Sequence, residues 1–194
     1  MLMVVVGRVI SPPRRFVPGL AKPPTSGATA VNRLSSPAFV IDTADMLKHW
    51  QGHRRVTRRV IDAFPESDLL SYSIGGMRPF AGLAFELASM ASAGVRGLVT
   101  RDWSAPLLHH TKGVPDSKRA LLDLWDRVTV EIDHIWPELP VGRFEEIDKA
   151  FGTWEGQMSG IFLYWLDNEN HHRGQGYVYL RALGIEPPAF YDRD

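Results

Sequence analysis

From Asp42 onward, apolar residues recur at every third or fourth position, the period of a helix with one buried face. Asp42 or Thr43 suits the cap of a first helix that runs to Phe64 and stops at Pro65. Its stripe reads Met46, Trp50, His53, Thr57, Val60 and Phe64, with Leu47 and Ile61 beside it. Pro79 fits the opening of a second helix reaching about Val99, whose stripe is Phe80, Leu83, Leu87, Met90 and Ala91. Asp116 and Ser117 are cap residues for a third, in which Leu121, Leu124, Trp125, Val128, Ile132 and Ile135 keep helical spacing until Pro137. A connection rich in Pro, Gly and Phe then leads to a last helix. The pattern starts it near Thr153 and ends it at Gly184, the expected left-handed cap, with Pro187 and Pro188 behind. No strand-like alternation of any length competes. Four amphipathic helices without strands predict an all-α fold, a four-helix bundle over residues 42–194.

Polar residues on apolar stripes carry the chemistry, because burying them costs energy unless they find partners. Glu86 follows Leu83 by three and precedes Met90 by four, so it points inward or nearly so. Along the last helix the stripe runs Ile161, Trp165, Asn168, His172, Gln175 or Gly176, Tyr179 and Leu183. Asn168 and His172 share a face, four apart. Glu169 and His172 are three apart, the Glu-x-x-His spacing that bundle metal sites use. His49 and His53 are also four apart, and His53 falls on the apolar side. His109, His110 and His134 fall in a loop or near a helix end and count as background. Glu86, Asn168 and His172, with Glu169 or His53 to complete the set, are therefore the predicted site, converging from separate helices.

Residues 1–41 differ in kind. Five basic residues (Arg8, Arg14, Arg15, Lys22 and Arg33) stand there with no acid before Asp42, among six prolines. Such a stretch cannot propagate a helix and has little to bury, so a disordered, dispensable extension is expected, with Met46 an alternative start. The whole chain of 194 residues has formal net charge +0, which offers no general attraction for nucleic acid or an anionic membrane. Arg54, Arg55, Arg58 and Arg59 crowd one stretch of the first helix, and in a neutral chain they read as a solvated face. There is no cysteine, which excludes disulfides and thiolate chemistry and suits the cytoplasm. No apolar run approaches the roughly 20 residues of a membrane span.

The run Asp167-Asn168-Glu169-Asn170-His171-His172-Arg173-Gly174-Gln175, then Tyr179-Leu180-Arg181 and Gly184-Ile185-Glu186-Pro187-Pro188, resembles the closing signature of the DinB/YfiT-like superfamily. The resemblance extends back over Gly76-Met77-Arg78-Pro79-Phe80 and His49-Trp50, about residues 42–192 in all. It implies a four-helix bundle, a homodimer, and a single divalent metal of the nickel or zinc type held by three histidines. Some members of the superfamily transfer a low-molecular-weight thiol, isomerise a thiol adduct or hydrolyse a substrate, and many have no known activity. Of the three histidine positions the resemblance places the last on His172, the one four residues before it on Asn168, and the one on the second helix on Glu86. A Glu/Asn/His set is harder than three imidazoles and binds late transition metals less tightly. Two functional expectations follow. One is a metal-dependent transferase or hydrolase with Glu86, His172 and Asn168 or Glu169 as ligands. The other is a non-catalytic dimeric bundle with a metal-free polar network in its core, binding a small molecule or serving structurally in a stress response.

Overall fold

The computed structural model describes residues 41–194; the extension expected over 1–41 falls, but for Ile41, outside them. Four long helices form the body: α1 (Thr43–Ala63), α3 (Phe80–Thr100), α5 (Lys118–Ile135) and α6 (Met158–Ala182), with short helices α2 (Glu66–Ser71) and α4 (Leu108–Thr111) between them. The caps are the residues whose chemistry predicts them. Asp42 accepts the Asp45 amide through Oδ1 at 2.8 Å, and Ser117 Oγ accepts the Ala120 amide at 3.2 Å. Gly184, at φ +76°, closes α6. The Ile185 amide donates to the Leu180 carbonyl at 2.9 Å and the Gly184 amide to Arg181 at 3.0 Å, the paired bonds of a Schellman turn.

The long helices pack against one another around one apolar core, in which Trp50, Trp136, Phe162 and Trp165 meet at ring-centroid distances of 5.4–6.3 Å. Stripe residues Trp50, Val60, Leu83, Trp125, Ile132 and Tyr179 are all buried. Two glycines let α3 and α6 close up. A Cβ on Gly94 would lie 2.9 Å from the Trp165 ring, and one on Gly176 would lie 2.5 Å from the ring of Phe80. Among the described residues no helix is long and apolar enough to cross a membrane.

Two features depart from the predicted outline. The last helix begins at Met158 rather than near Thr153, because residues before it form an antiparallel hairpin, β1 (Ile147–Ala150) with β2 (Trp154–Gln157). Ile147 pairs with Gln157 and Ala150 with Trp154. Strands of four residues are too short for an alternation to register in sequence, yet the Phe151-Gly152 turn and two backbone bonds across it suffice to fold them here. Its root is tied down by Arg143, buried at 1 % exposure, which donates to the Leu98 carbonyl at 2.7 Å, to Glu146 at 2.7 Å and to Asp148 at 2.5 Å. Those bonds lock the hairpin to the end of α3.

The second departure concerns one arginine of α1: Arg55, Arg58 and Arg59 keep an exposed or half-exposed face, but Arg54 does not. Arg54 is fully buried under α5, stacked 4.1 Å above the Trp125 ring, with bonds to Thr129 Oγ1 and the Trp125 carbonyl. Burial lowers its pKa to about 10, against the pull of Glu169 and other acids. Arg58 forks onto Asp126, while Arg55 and Arg59 donate to backbone carbonyls of Asp192, Arg193 and Asp194 and so hold the C-terminal tail.

Candidate functional site

Glu86, one turn and a half into α3, meets His172 of α6 across the helix interface, Oε1 to Nε2 3.4 Å. The pair lies at the edge of the core and not deep within it, since the Glu86 side chain keeps 17 % exposure. Arg78, just ahead of α3, donates to the other carboxylate oxygen at 2.6 Å. Its backbone is pinned by the buried Tyr179, whose hydroxyl donates to the Arg78 carbonyl at 3.1 Å. On its far side His172 Nδ1 faces Gln175 Oε1 at 2.8 Å. Both ring nitrogens therefore look at acceptors, a geometry that only the doubly protonated ring satisfies fully. Burial by itself would lower the His172 pKa, but the bonds to Glu86 and Gln175 outweigh it and hold the group above its ordinary value. The same bond to His172 is the largest cause of a Glu86 pKa near 2, burial opposing it and Arg78 assisting. The three side chains form a network of carboxylate, imidazole and guanidinium.

The other predicted site residues go elsewhere. Asn168 turns its amide to Met90 Sδ at 3.5 Å, beside Trp50 and Trp165, and does not join His172. Glu169 does not face the pair either. It is buried at 2 % exposure against α1, accepting from Thr57 Oγ1 at 2.6 Å, with Arg173 3.9 Å away. Burial pushes its carboxyl up, and Arg54, Thr57 and Arg173 pull against that. His53 belongs to this second cluster. Arg173 donates to its Nδ1 at 2.9 Å, which puts the ring proton on Nε2, facing His49 Nε2 at 3.1 Å. Burial, and then Arg173, lower the His53 pKa to about 3, so the ring is neutral. Among the described residues no three His, Asp or Glu side chains gather where they would hold a metal ion.

Glu86 and Arg78 also stand at the wall of a cleft of about 700 Å³ between α3, α4, α6 and the hairpin. Its apolar walls include Leu107, Met90, Phe151, Trp154, Ile161 and Trp165. Phe151 is held at φ +53°, a conformation uncommon for a bulky side chain, and its ring packs against Trp103, Trp154 and Trp165. Trp154 and Tyr164 keep 53 % and 59 % of their surface exposed at this site. His109 and His110, set aside as background in the sequence, line the same cleft. Ser89 of α3 holds His109 through both its backbone amide (3.3 Å) and Nδ1 (3.1 Å). Burial and the neighbouring His110 keep this ring below its ordinary pKa, the Glu86 charge opposing them. Arg78, His109 and the hairpin aromatics were missed because nothing local marks them. Only the Arg-Pro step ahead of α3 hinted at Arg78.

A sequence model of the DinB family matches residues 39–194. The fold is similar to the crystal structure of a DinB-like protein from Bacillus cereus ATCC 10987, with TM-score 0.63, 17% identity, and 76% of this chain and 97% of that one covered. It is also similar to YjoA, a DinB-like protein from Bacillus subtilis, with TM-score 0.62, 15% identity, and 76% and 99% of the two chains covered. No curated protein matches the chain.

Proposed function

This chain belongs to the DinB family, and on that premise we propose that it binds a small molecule in the aromatic cleft, with the Arg78–Glu86–His172 network as the cleft's polar end and no divalent metal in its working form. The observation that carries the reading is the meeting of a 700 Å³ cleft, walled by Trp154 and Trp165, with that charged network. Ligand sites of this volume, mostly apolar with a few converging polar groups, are the usual small-molecule sites of proteins.

The donor chemistry does not suit the metal of the superfamily. The one carboxylate already faces the His172 ring through Oε1 and takes the Arg78 cation at 2.6 Å through Oε2, a cation that opposes a metal ion there, and the amide of Asn168 points to Met90. What these residues supply is binding. Arg78 offers donors to the cleft, Glu86 keeps Arg78 and His172 in place, and the aromatic walls exclude water from the ligand's body.

Gly160 provides the test. It lines the cleft, and a Cβ there meets nothing within 4 Å. Gly160→Leu should narrow the cleft while raising helix propensity in α6, so the fold is kept or strengthened. Nile red, a neutral apolar dye, is expected to show saturable, blue-shifted emission with the wild-type chain, insensitive to chelator, and to bind more weakly to Gly160→Leu. Dye binding unchanged by that substitution, or that requires added nickel or zinc, overturns the reading.

A further inference from the structure

Three facts about the cleft narrow what it takes. First, both oxygens of its only carboxylate wall residue are occupied, Oε1 by His172 and Oε2 by Arg78, so Glu86 has little left for a ligand amine. Second, Arg78 commits one nitrogen to Glu86 and leaves its other guanidinium donors without a partner among the described residues, on a side chain 53 % exposed. Third, His109 uses Nδ1 on Ser89, which leaves Nε2 without a partner among the described residues on the same cleft. With Glu86 already shared between His172 and Arg78, what the polar end still offers a ligand is donors rather than acceptors. A guanidinium with uncommitted donors, sharing a cleft with an imidazole that can donate from Nε2, is suited to two oxygens of an anion. The remaining walls, Phe151, Trp154, Ile161, Tyr164 and Trp165, suit a flat apolar body.

We propose that the ligand is an amphipathic monoanion, an aromatic or branched apolar body ending in a carboxylate, seated with its head on Arg78 and His109 and its body between the hairpin and α6. The proposal rests on the reading of the cleft as a ligand site. It adds the chemical class of the ligand and two residues that select it.

Three matched compounds test it: naphthylacetate, naphthylethanol and naphthylethylamine, each titrated against bound Nile red. The acid is expected to displace the dye about tenfold more tightly than the alcohol, the size of one charge-assisted contact, and the amine more weakly than either. Arg78→Gln should bring the acid down to the alcohol's affinity and leave the alcohol within about twofold, while Arg78→Lys recovers only part of the preference because the fork is lost. His109→Phe keeps the apolar wall and should likewise reduce the preference for the acid. If dye binds and the acid shows no advantage over the alcohol, or keeps it in Arg78→Gln, the anion assignment is wrong and the cleft reading stands. If the dye itself does not bind the wild-type chain, both fall.

Discussion

Glu86 and Glu169 are two carboxylates on inward-facing stretches of helix, and their surroundings give them opposite character. His172 and Arg78 hold Glu86 ionised, whereas burial pushes Glu169 up and its nearest cations, Arg54 and Arg173, are themselves buried. Removing Glu169 takes from buried Arg173 its ion-pair partner and from Arg54 the largest of its counter-charges. Glu169→Ala should therefore cost about 3–5 kcal/mol in a urea unfolding experiment, with Glu169→Gln costing less because Thr57 keeps a partner. A loss under about 1 kcal/mol for the alanine variant would mean the cluster contributes little. The Glu86–His172 pair makes a pH prediction. The folded pKa of Glu86 lies below its unfolded value of 4.5, so its contribution is present above pH 4.5 and disappears as pH falls toward about 2. That of His172 is raised above 6.5, so its contribution is full below pH 6.5 and disappears as pH rises through the folded value. Both operate together only between those limits. The melting-temperature difference between wild type and Glu86→Gln should peak near pH 5.5 and shrink at pH 3 and at pH 9; a difference flat across that range refutes the pairing.

Helix caps and apolar stripes were legible one element at a time. Asp42, Ser117 and Gly184 sit where local chemistry predicts, because a cap is decided by residues within three or four positions of it. Elements shorter than about two turns left no such trace, which is why α2, α4 and the hairpin were not anticipated. The contact between α3 and α6 depends on an element-level feature, the glycine at position 176 against Phe80. Gly176→Ala improves helix propensity by about 1 kcal/mol, yet the added methyl has to displace a buried ring. The strain should prevail, with a net loss of about 1–3 kcal/mol by chemical denaturation. A variant as stable as wild type would show that α6 can shift away from α3 at no cost.

Across the whole molecule, charge and apolar surface are distributed in a way that composition does not reveal. The net charge of zero is reached with a buried Arg54, an Arg55 and Arg59 that clasp the C-terminal tail, and a buried Arg143 that anchors the hairpin. Of the arginines on α1, Arg54 alone leaves the solvated face that the sequence suggested. The cleft is likewise a product of assembly, since its walls come from α3, α4, the hairpin and α6. Sequence by itself determined the all-α class, the four long helices, the caps at Asp42, Ser117 and Gly184 and the buried stripes. Those features follow from short-range periodicity and capping. Tertiary structure alone decided that Glu169 turns to Thr57, 112 positions away, while His172, three residues further on, turns to Glu86. Successive residues on a helix point about 100° apart, so the rotation of α6 in the bundle selects which polar groups share a site. That rotation is set by the packing of all the helices together, and no local pattern encodes it.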